Sequence, residues 1–258
     1  YQEVLRGVKA ASTCNVRELK VSGDDVAEQA LSLKPDAIVA IGTLAFKKIR
    51  SITSLLVIHV MVMPSEADYS RDRNISGVSM DIPPERYLAE AAALFPSAKR
   101  IGIVYDPRFT GAYVAEAERA AHAAGIALVV KKVSDPSALP AALEDLLDRI
   151  DVLWMLPDAT VVTSATVELL LRHSFQTNTP LITFSRKYVE MGAVASLDAD
   201  PRDMGTQAGE LANRLVSGKT GPEFLFARKY QLTVNKTVAS KMGRTISGET
   251  LRRAAIIE

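Results

Sequence analysis

The stretch RIGIVYDPRFTGAYVAEAERAAHAAGIALVVKKVS, residues 100–134, decides the fold class. It opens on a short apolar run, "RIGIVYDP" (100–107), and closes on another, "ALVVKKVS" (127–134). Between them "AYVAEAERAAHAAG" (112–125) carries Ala and Glu at helical spacing, and Gly125 stands where a helix C-terminal cap belongs. Two buried strands joined by a helix make a right-handed crossover unit, and such units build parallel sheets.

The same alternation runs outward in both directions. "DAIVAIG" (36–42), "LLVIHVMV" (55–62), "DVLWMLPD" (151–158) and "PLITFS" (180–185) read as buried strands. "ERYLAEAAALF" (85–95) and "RDMGTQAGELANRLVSG" (202–218) read as helices, the latter stopped by Gly218; "YQLTVN" (230–235) is a last strand before a short amphipathic tail. The class is therefore α/β, with mostly parallel sheets flanked by helices. Two stretches break the rhythm. "MPSEADYSRDRNISGVSMDIPPE" (63–85) is polar and lacks a helical pattern, as expected of a connector between two lobes. "RKYVEMGAVASLDADPRDMG" (186–205) is the second irregular stretch. The beginning is unusual: 1–12 reads as a helix and "CNVRELKVS" (14–22) as a strand, whereas a crossover lobe opens on a strand. The expectation is an opening strand ahead of Tyr1.

Composition excludes several function classes. Of 258 residues, 48% are hydrophobic and 24% charged, which places the chain among folded rather than disordered proteins. Thirty-one basic against 30 acidic residues leave a net charge of +1, without the basic footprint of a nucleic-acid binder. No apolar run reaches the about 18 residues of a membrane span. The single cysteine, Cys14, forms no internal disulfide, and His59, His122 and His173 stand in no ligand spacing, so neither a metal nor a cofactor is expected. "SGKTG" (217–221) imitates a phosphate loop but follows a helix and has Asn213 where the motif requires glycine. G-x-G-x-x-G and G-x-S-x-G are both absent.

What remains is a set of small polar or acidic residues at strand ends. Gly42-Thr43 follows the first strand; Tyr105-Asp106-Pro107, with Thr110-Gly111 beyond, ends another; Asp158 and Thr160 end "VLWML"; Ser185 ends "LITF". Each has a plain reading as a turn or helix cap and a functional one as a ligand contact. Asp158 stands equally for a cap of the helix that follows and for the partner of a ligand. Hydroxyls and a carboxylate, with the nearby Trp154, Tyr105 and Phe109, suit a small polar or zwitterionic molecule.

Several segments together resemble a bacterial family of ABC-transporter substrate-binding proteins, the one that includes the tryptophan/tyrosine-uptake binding proteins. They are "KPDAIVAIGT" (34–43), "RNISGVSMDIPPE" (73–85) leading to "LFPSAKRIGIVYDP" (94–107), "DVLWMLPDATVVT" from residue 151, "PLITFSRKYVEMGAVAS" from residue 180 and "LTVNKTVASKMGRTI" (232–246). The likeness covers nearly the whole chain in order. It implies the type I periplasmic-binding-protein fold, two α/β lobes joined by hinge crossings. Lobe one would comprise 1–81 plus 194–219, lobe two 82–193 plus 220–258. It further implies ligand contacts at Gly42, Thr43 and Leu44, a carboxylate grip at Tyr105, Thr110 and Gly111, and an acidic partner for a ligand amine at Asp158. Thr160, Ser185 and Asp198 complete the candidate set. Relatives that bind aromatic amino acids tend to have Asp-Asn-Thr at Asp158-Ala159-Thr160 and a Gly-Ile-Asp-Tyr-like run at Asp198-Ala199-Asp200-Pro201. The resemblance therefore carries no tryptophan or tyrosine specificity.

The function expected is an extracytoplasmic solute receptor, periplasmic or anchored at the cell surface. It would bind an amino-acid-like ligand between its lobes by hinge closure and then dock on the membrane permease of an ABC importer. It is expected to be a monomer that is not an enzyme, binds no nucleic acid and does not insert in the membrane. A sensing domain of a signalling protein and an α/β enzyme using Asp106 or Asp158 are the alternatives. Replacing Asp158 by Ala is expected to abolish ligand-induced stabilisation while leaving the unliganded fold intact.

Overall fold

A computed structural model describes residues 1–62, 73–219 and 221–258. The chain divides into two compact units, Tyr1–Ile82 with Ala199–Lys229 and Pro83–Asp198 with Tyr230–Glu258.

The first unit contains α1 (Gln2–Ala11), α2 (Val26–Ser32), β1 (Ala37–Ile41), α3 (Thr43–Ile49), β2 (Leu56–Val60) and β3 (Ile75–Val78), joined later by α9 (Pro201–Val216) and β9 (Phe224–Leu225). The sheet order is β1-β2-β3-β9, with each neighbouring pair parallel. Val26, Phe46, Ile49, Val57 and Ile75 form a buried apolar cluster on this sheet. α1 lies unusually close to α9, and glycine is the reason. A Cβ on Gly7 would stand 2.1 Å from the Arg202 carbonyl oxygen, and one on Gly205 2.0 Å from that of Val4. Within the sheet His59 of β2 is paired with Gly77 of β3. A Cβ at Gly77 would fall 1.9 Å from His59 Nε2, so the missing side chain is what admits the imidazole. Phe46 and Phe224 pack around that ring, with centroids at 5.4 and 5.9 Å.

The second unit contains α4 (Pro84–Leu94), β4 (Arg100–Tyr105), α5 (Pro107–Ala123), β5 (Ala127–Lys132), α6 (Leu139–Glu144), β6 (Val152–Trp154), α7 (Ser164–Gln176), β7 (Leu181–Thr183), α8 (Arg186–Glu190) and β8 (Ala195–Ala199). After the excursion through α9 and β9 it is completed by β10 (Tyr230–Asn235), α10 (Lys236–Lys241), α11 (Gly248–Arg253) and β11 (Ala255–Ile257). The sheet order is β11-β10-β8-β7-β6-β4-β5. β4 pairs in parallel with both β5 and β6, so the chain order reverses there, and open α/β sheets place ligands at the strand carboxyl ends beside such a switch. The C-terminal segment is pinned by a buried carboxylate. Arg253 clamps Glu90 with both terminal nitrogens at 2.5 Å, and the Tyr230 hydroxyl donates to it at 2.7 Å. Burial and the neighbouring Glu90 charge push the Tyr230 phenol up to about 12.

The structure departs from the sequence reading in several elements. The stretch 63–85 contains a strand, β3, and all four of its residues are buried; Ser76 and Gly77 hide its periodicity. Residues 63–72 of that expected connector lie outside the described residues, as does Thr220 of "SGKTG". The stretch 186–205 holds α8 and β8. Residues 14–22 are mostly exposed and join no sheet among the described residues; without a ladder partner the strand-like run forms no strand. The boundaries between the units also differ from the expected ones: Ile82 falls in the first unit, and the two later crossings shift further. β8 hydrogen-bonds to β7, which puts residues 194–198 in the second unit, and β9 pairs with β3, which puts 221–229 in the first.

Candidate functional site

In the second unit the turns after β4 and β6 meet at the switch point. Asp106, not Thr110, caps α5: its carboxylate accepts from the Arg108 amide at 3.0 Å, and Pro107 occupies the first turn. Thr110 follows inside that turn, and its hydroxyl donates to Asp158 at 2.6 Å. The helix after β6 starts only at Ser164, capped by Thr163 through a reciprocal pair of bonds with Thr166. Asp158 is therefore free of helix-capping duty, and its carboxylate serves the corner itself. Oδ2 accepts from the Asp106 amide at 2.8 Å and from Thr110; Oδ1 accepts from the amides of Thr160 at 2.9 Å and Val161 at 3.1 Å. The Asp158 residue is 0% exposed.

Thr160 returns the connection, donating from its hydroxyl to Asp106 at 2.7 Å. Arg108, which sequence reasoning did not single out, forks onto the same carboxylate, with Nη2 to Oδ2 at 2.5 Å and Nε to Oδ1 at 3.0 Å. Its other anchor is the Ser134 carbonyl at 2.7 Å. The guanidinium, joined by bonds from Thr160 and the Arg108 amide, holds the Asp106 carboxyl well below the usual carboxylate range against the opposing effect of burial. The side chain of Arg108 remains 62% exposed and lies over the Phe109 ring at 5.3 Å. The detectable signal was Asp-Pro-Arg itself, a capping carboxylate with a guanidinium two residues on.

A second polar corner lies at the ends of β7 and β8. Asp198 accepts from the Arg186 amide at 2.6 Å and from the Ser196 hydroxyl at 2.5 Å. It is only partly buried, yet burial raises its carboxyl above the ordinary value despite those two bonds. Ser185 occupies the cap position of α8 without a side-chain cap bond. The apolar candidates divide. Trp154 is core, stacked on Tyr87 at 4.7 Å and met edge-on by Tyr113. Tyr105 is buried at the end of β4. Gly111 lies in α5, where a Cβ would meet Pro107 at an ordinary 3.6 Å, so its location does not demand glycine.

In the first unit Gly42 has φ 90 and ψ 160, a backbone that only glycine adopts without strain. Its amide donates to the Val60 carbonyl at 2.8 Å, so that N–H is not open to a ligand. The Tyr1 ring covers it; a Cβ on Gly42 would stand 2.7 Å from Tyr1 Cε1. Thr43 begins α3, and Leu44 beside it is 61% exposed. Met61, just past β2, has φ 60, strained for a side-chain-bearing residue and invisible in the sequence. Ser79, past β3, donates to Asp81 at 2.7 Å. Each unit thus collects its own strand-end set. Among the described residues no group of three His, Cys, Asp or Glu side chains is placed to hold a metal ion, and no helix is long and apolar enough to cross a membrane.

A Tyrosine-binding protein of Clostridioides difficile is 26% identical over 76% of this chain, which spans 59% of that relative's length. A conserved domain protein from Vibrio cholerae, of known structure, is 25% identical with a TM-score of 0.69, covering 100% of this chain and 93% of its own. An ABC domain from Streptococcus pneumonia solved in complex with L-Trp shares the fold at 20% identity and a TM-score of 0.65, over 99% of this chain and 96% of that one. The fold is that of the type I periplasmic binding proteins. Residues 19–257 match the family described as ABC transporter substrate binding protein, and this chain belongs to that family.

Proposed function

We propose that this protein is the extracytoplasmic solute receptor of an ABC importer and that its ligand is small, polar and amino-acid-like. The family match over residues 19–257 carries the reading. The tyrosine-binding relative supports an amino-acid-like ligand class, while Ala159 and the Asp198-Ala199-Asp200-Pro201 run leave the side-chain preference open. The polypeptide works as a receptor rather than an enzyme, without a cofactor, as a monomer, and delivers its ligand to a membrane permease from the periplasm or the cell surface.

The strand-end residues divide the work by what their atoms have left to give. Asp158 has four donors on its two oxygens and no exposed surface; it holds Thr110 and Thr160 in place. Asp198 has two donors and open surface, so it is the better partner for a ligand ammonium, whose positive charge would also favour the ionised carboxylate that burial disfavours. Arg108, backed by Asp106 and more than half exposed, is the candidate in this reading to receive a ligand carboxylate. In the second unit Ser185 stands at the end of β7, while Gly42, Thr43 and Leu44 form the first unit's own strand-end set.

Calorimetry with the twenty amino acids and small organic acids tests this. One or a few amino acids should bind stoichiometrically and be recovered chemically unchanged. Asp198→Asn should weaken the best ligand at least about tenfold, the loss of roughly 1.4 kcal/mol expected of a charged contact. Turnover of the ligand would overturn the receptor reading, and unchanged affinity in Asp198→Asn would overturn the role of that residue.

A further inference from the structure

At the opposite edge of the second unit's sheet, where β4, β6 and β7 begin, lies a cavity of about 300 Å³, at the small end of the range for ligand pockets. Its walls include Arg100, Asp148, Asp151, Asn178, Thr179 and Arg244. One ion pair in it is closed. Arg100 donates from Nε and Nη2 to Asp151 Oδ1 at 3.2 and 2.7 Å, and from Nη1 to the Asp148 carbonyl at 2.8 Å. Asp151 Oδ2 is filled by the amides of Lys99 and Arg100, each at 2.8 Å. All three guanidinium nitrogens of Arg100 and both oxygens of Asp151 are thus already in hydrogen bonds.

Arg244 differs. Its amide is held by the Ala239 carbonyl at 2.8 Å, which sets the residue just beyond α10. The one hydrogen bond of its guanidinium among the described residues runs from Nη2 to the Asn178 carbonyl at 3.3 Å. Nε is shut from solvent and has no acceptor. No carboxylate pairs with it among the described residues. Its Nε–H is therefore a donor that the fold leaves unmet. The lip is strained as well: Asp148 and Asn178 take φ 58 and 55, and each uses that backbone to present a carbonyl to one of the two arginines.

We propose that this cavity is a second binding site, for a small carboxylate-bearing anion, with Arg244 as its anchor. Because Nε is shut from solvent, a planar carboxylate would meet the paired N–H groups of the terminal Nη1–Nη2 edge, and the Thr179 hydroxyl provides a further rotatable donor. The site is independent of the solute reading, because it lies at the amino ends of strands whose carboxyl ends carry Asp106, Asp158 and Ser185.

The test follows the arginine Nε–H resonances of the whole chain while acetate, succinate or inorganic phosphate is added at constant ionic strength. One resonance, missing from Arg244→Gln, should move saturably with the carboxylates and less with tetrahedral phosphate. Arg244→Gln should be at least as stable as the parent without anion, since it removes an unmet donor, and should bind succinate at least about tenfold more weakly. Arg244→Lys, which keeps the charge and loses the fork, should also weaken succinate. No saturable movement, tighter binding of phosphate than of either carboxylate, or equal succinate affinity in Arg244→Gln and Arg244→Lys as in the parent would overturn the proposal.

Discussion

Asp158 and Asp198 both follow or close a strand of the same sheet, and they use their charge in opposite ways. Asp158 is wrapped by four donors and has no exposed surface. Asp198 has two donors, keeps some surface, and is raised by burial toward the protonated form. The first is a charge fully consumed by the fold. The second is a charge the unliganded protein satisfies incompletely, which is the condition under which a cationic ligand group gains most by arriving.

Asp158→Ala should show the largest effect and break the comparison if it does not. Removing the carboxylate strands the amides of Asp106, Thr160 and Val161 and the Thr110 hydroxyl inside the corner. Buried unmet donors and the small cavity together should cost about 4 kcal/mol of unfolding free energy in urea, without ligand present. This reverses the expectation from sequence that the unliganded fold would be indifferent. A loss under about 1 kcal/mol would return Asp158 to the ligand.

His59 extends the contrast to a buried group that gives up its charge. Burial lowers its imidazole from 6.5 to about 4. Below pH 6.5 the unfolded chain takes up a proton that the folded chain refuses, so stability falls as pH falls and the loss is complete near pH 4. Across about 2.5 pH units, at about 1.4 kcal/mol each, the loss approaches about 3 kcal/mol. His173, also lowered by burial, adds in the same direction. His59→Leu should flatten most of the slope measured by urea unfolding between pH 6.5 and 4; a slope unchanged by the substitution would assign it elsewhere.

Most of the α/β alternation is legible in the sequence because fully buried parallel strands are continuous apolar runs, as in residues 100–105 and 56–60. β3 is not, since Gly77 is there to admit His59 from the neighbouring strand, a long-range demand that no local pattern records. Residues 14–22 fail in the converse way: the β-branched and apolar residues of a strand-like run are present and the ladder partner is not. At the site the residue types were legible and their allegiances were not. Asp158, Thr110 and Thr160 do converge, but on one another and on Asp106, and only the spacing of β4 and β6 in the sheet decides that. Arg108 escaped notice because an arginine beside a capping aspartate is an ordinary surface feature until its partner is found buried.

The smallest effect is the sharpest test of the comparison. Asp198→Asn keeps an acceptor for the Arg186 amide, and the Ser196 hydroxyl can turn to accept from the new amide. The unliganded variant should therefore lie within about 0.5 kcal/mol of the parent at pH 7. Because burial raises the parent's carboxyl, the folded protein binds a proton there before the unfolded chain does as pH falls. The parent thus gains stability through that window and the variant does not, so the variant's standing relative to the parent should decline from pH 7 toward about pH 3.5. Urea unfolding of the pair at several pH values measures it. A loss above about 1.5 kcal/mol at pH 7 would mean that Asp198 fastens its corner as Asp158 does, and a receptor with both carboxylates committed to the fold would have to bind an ammonium elsewhere.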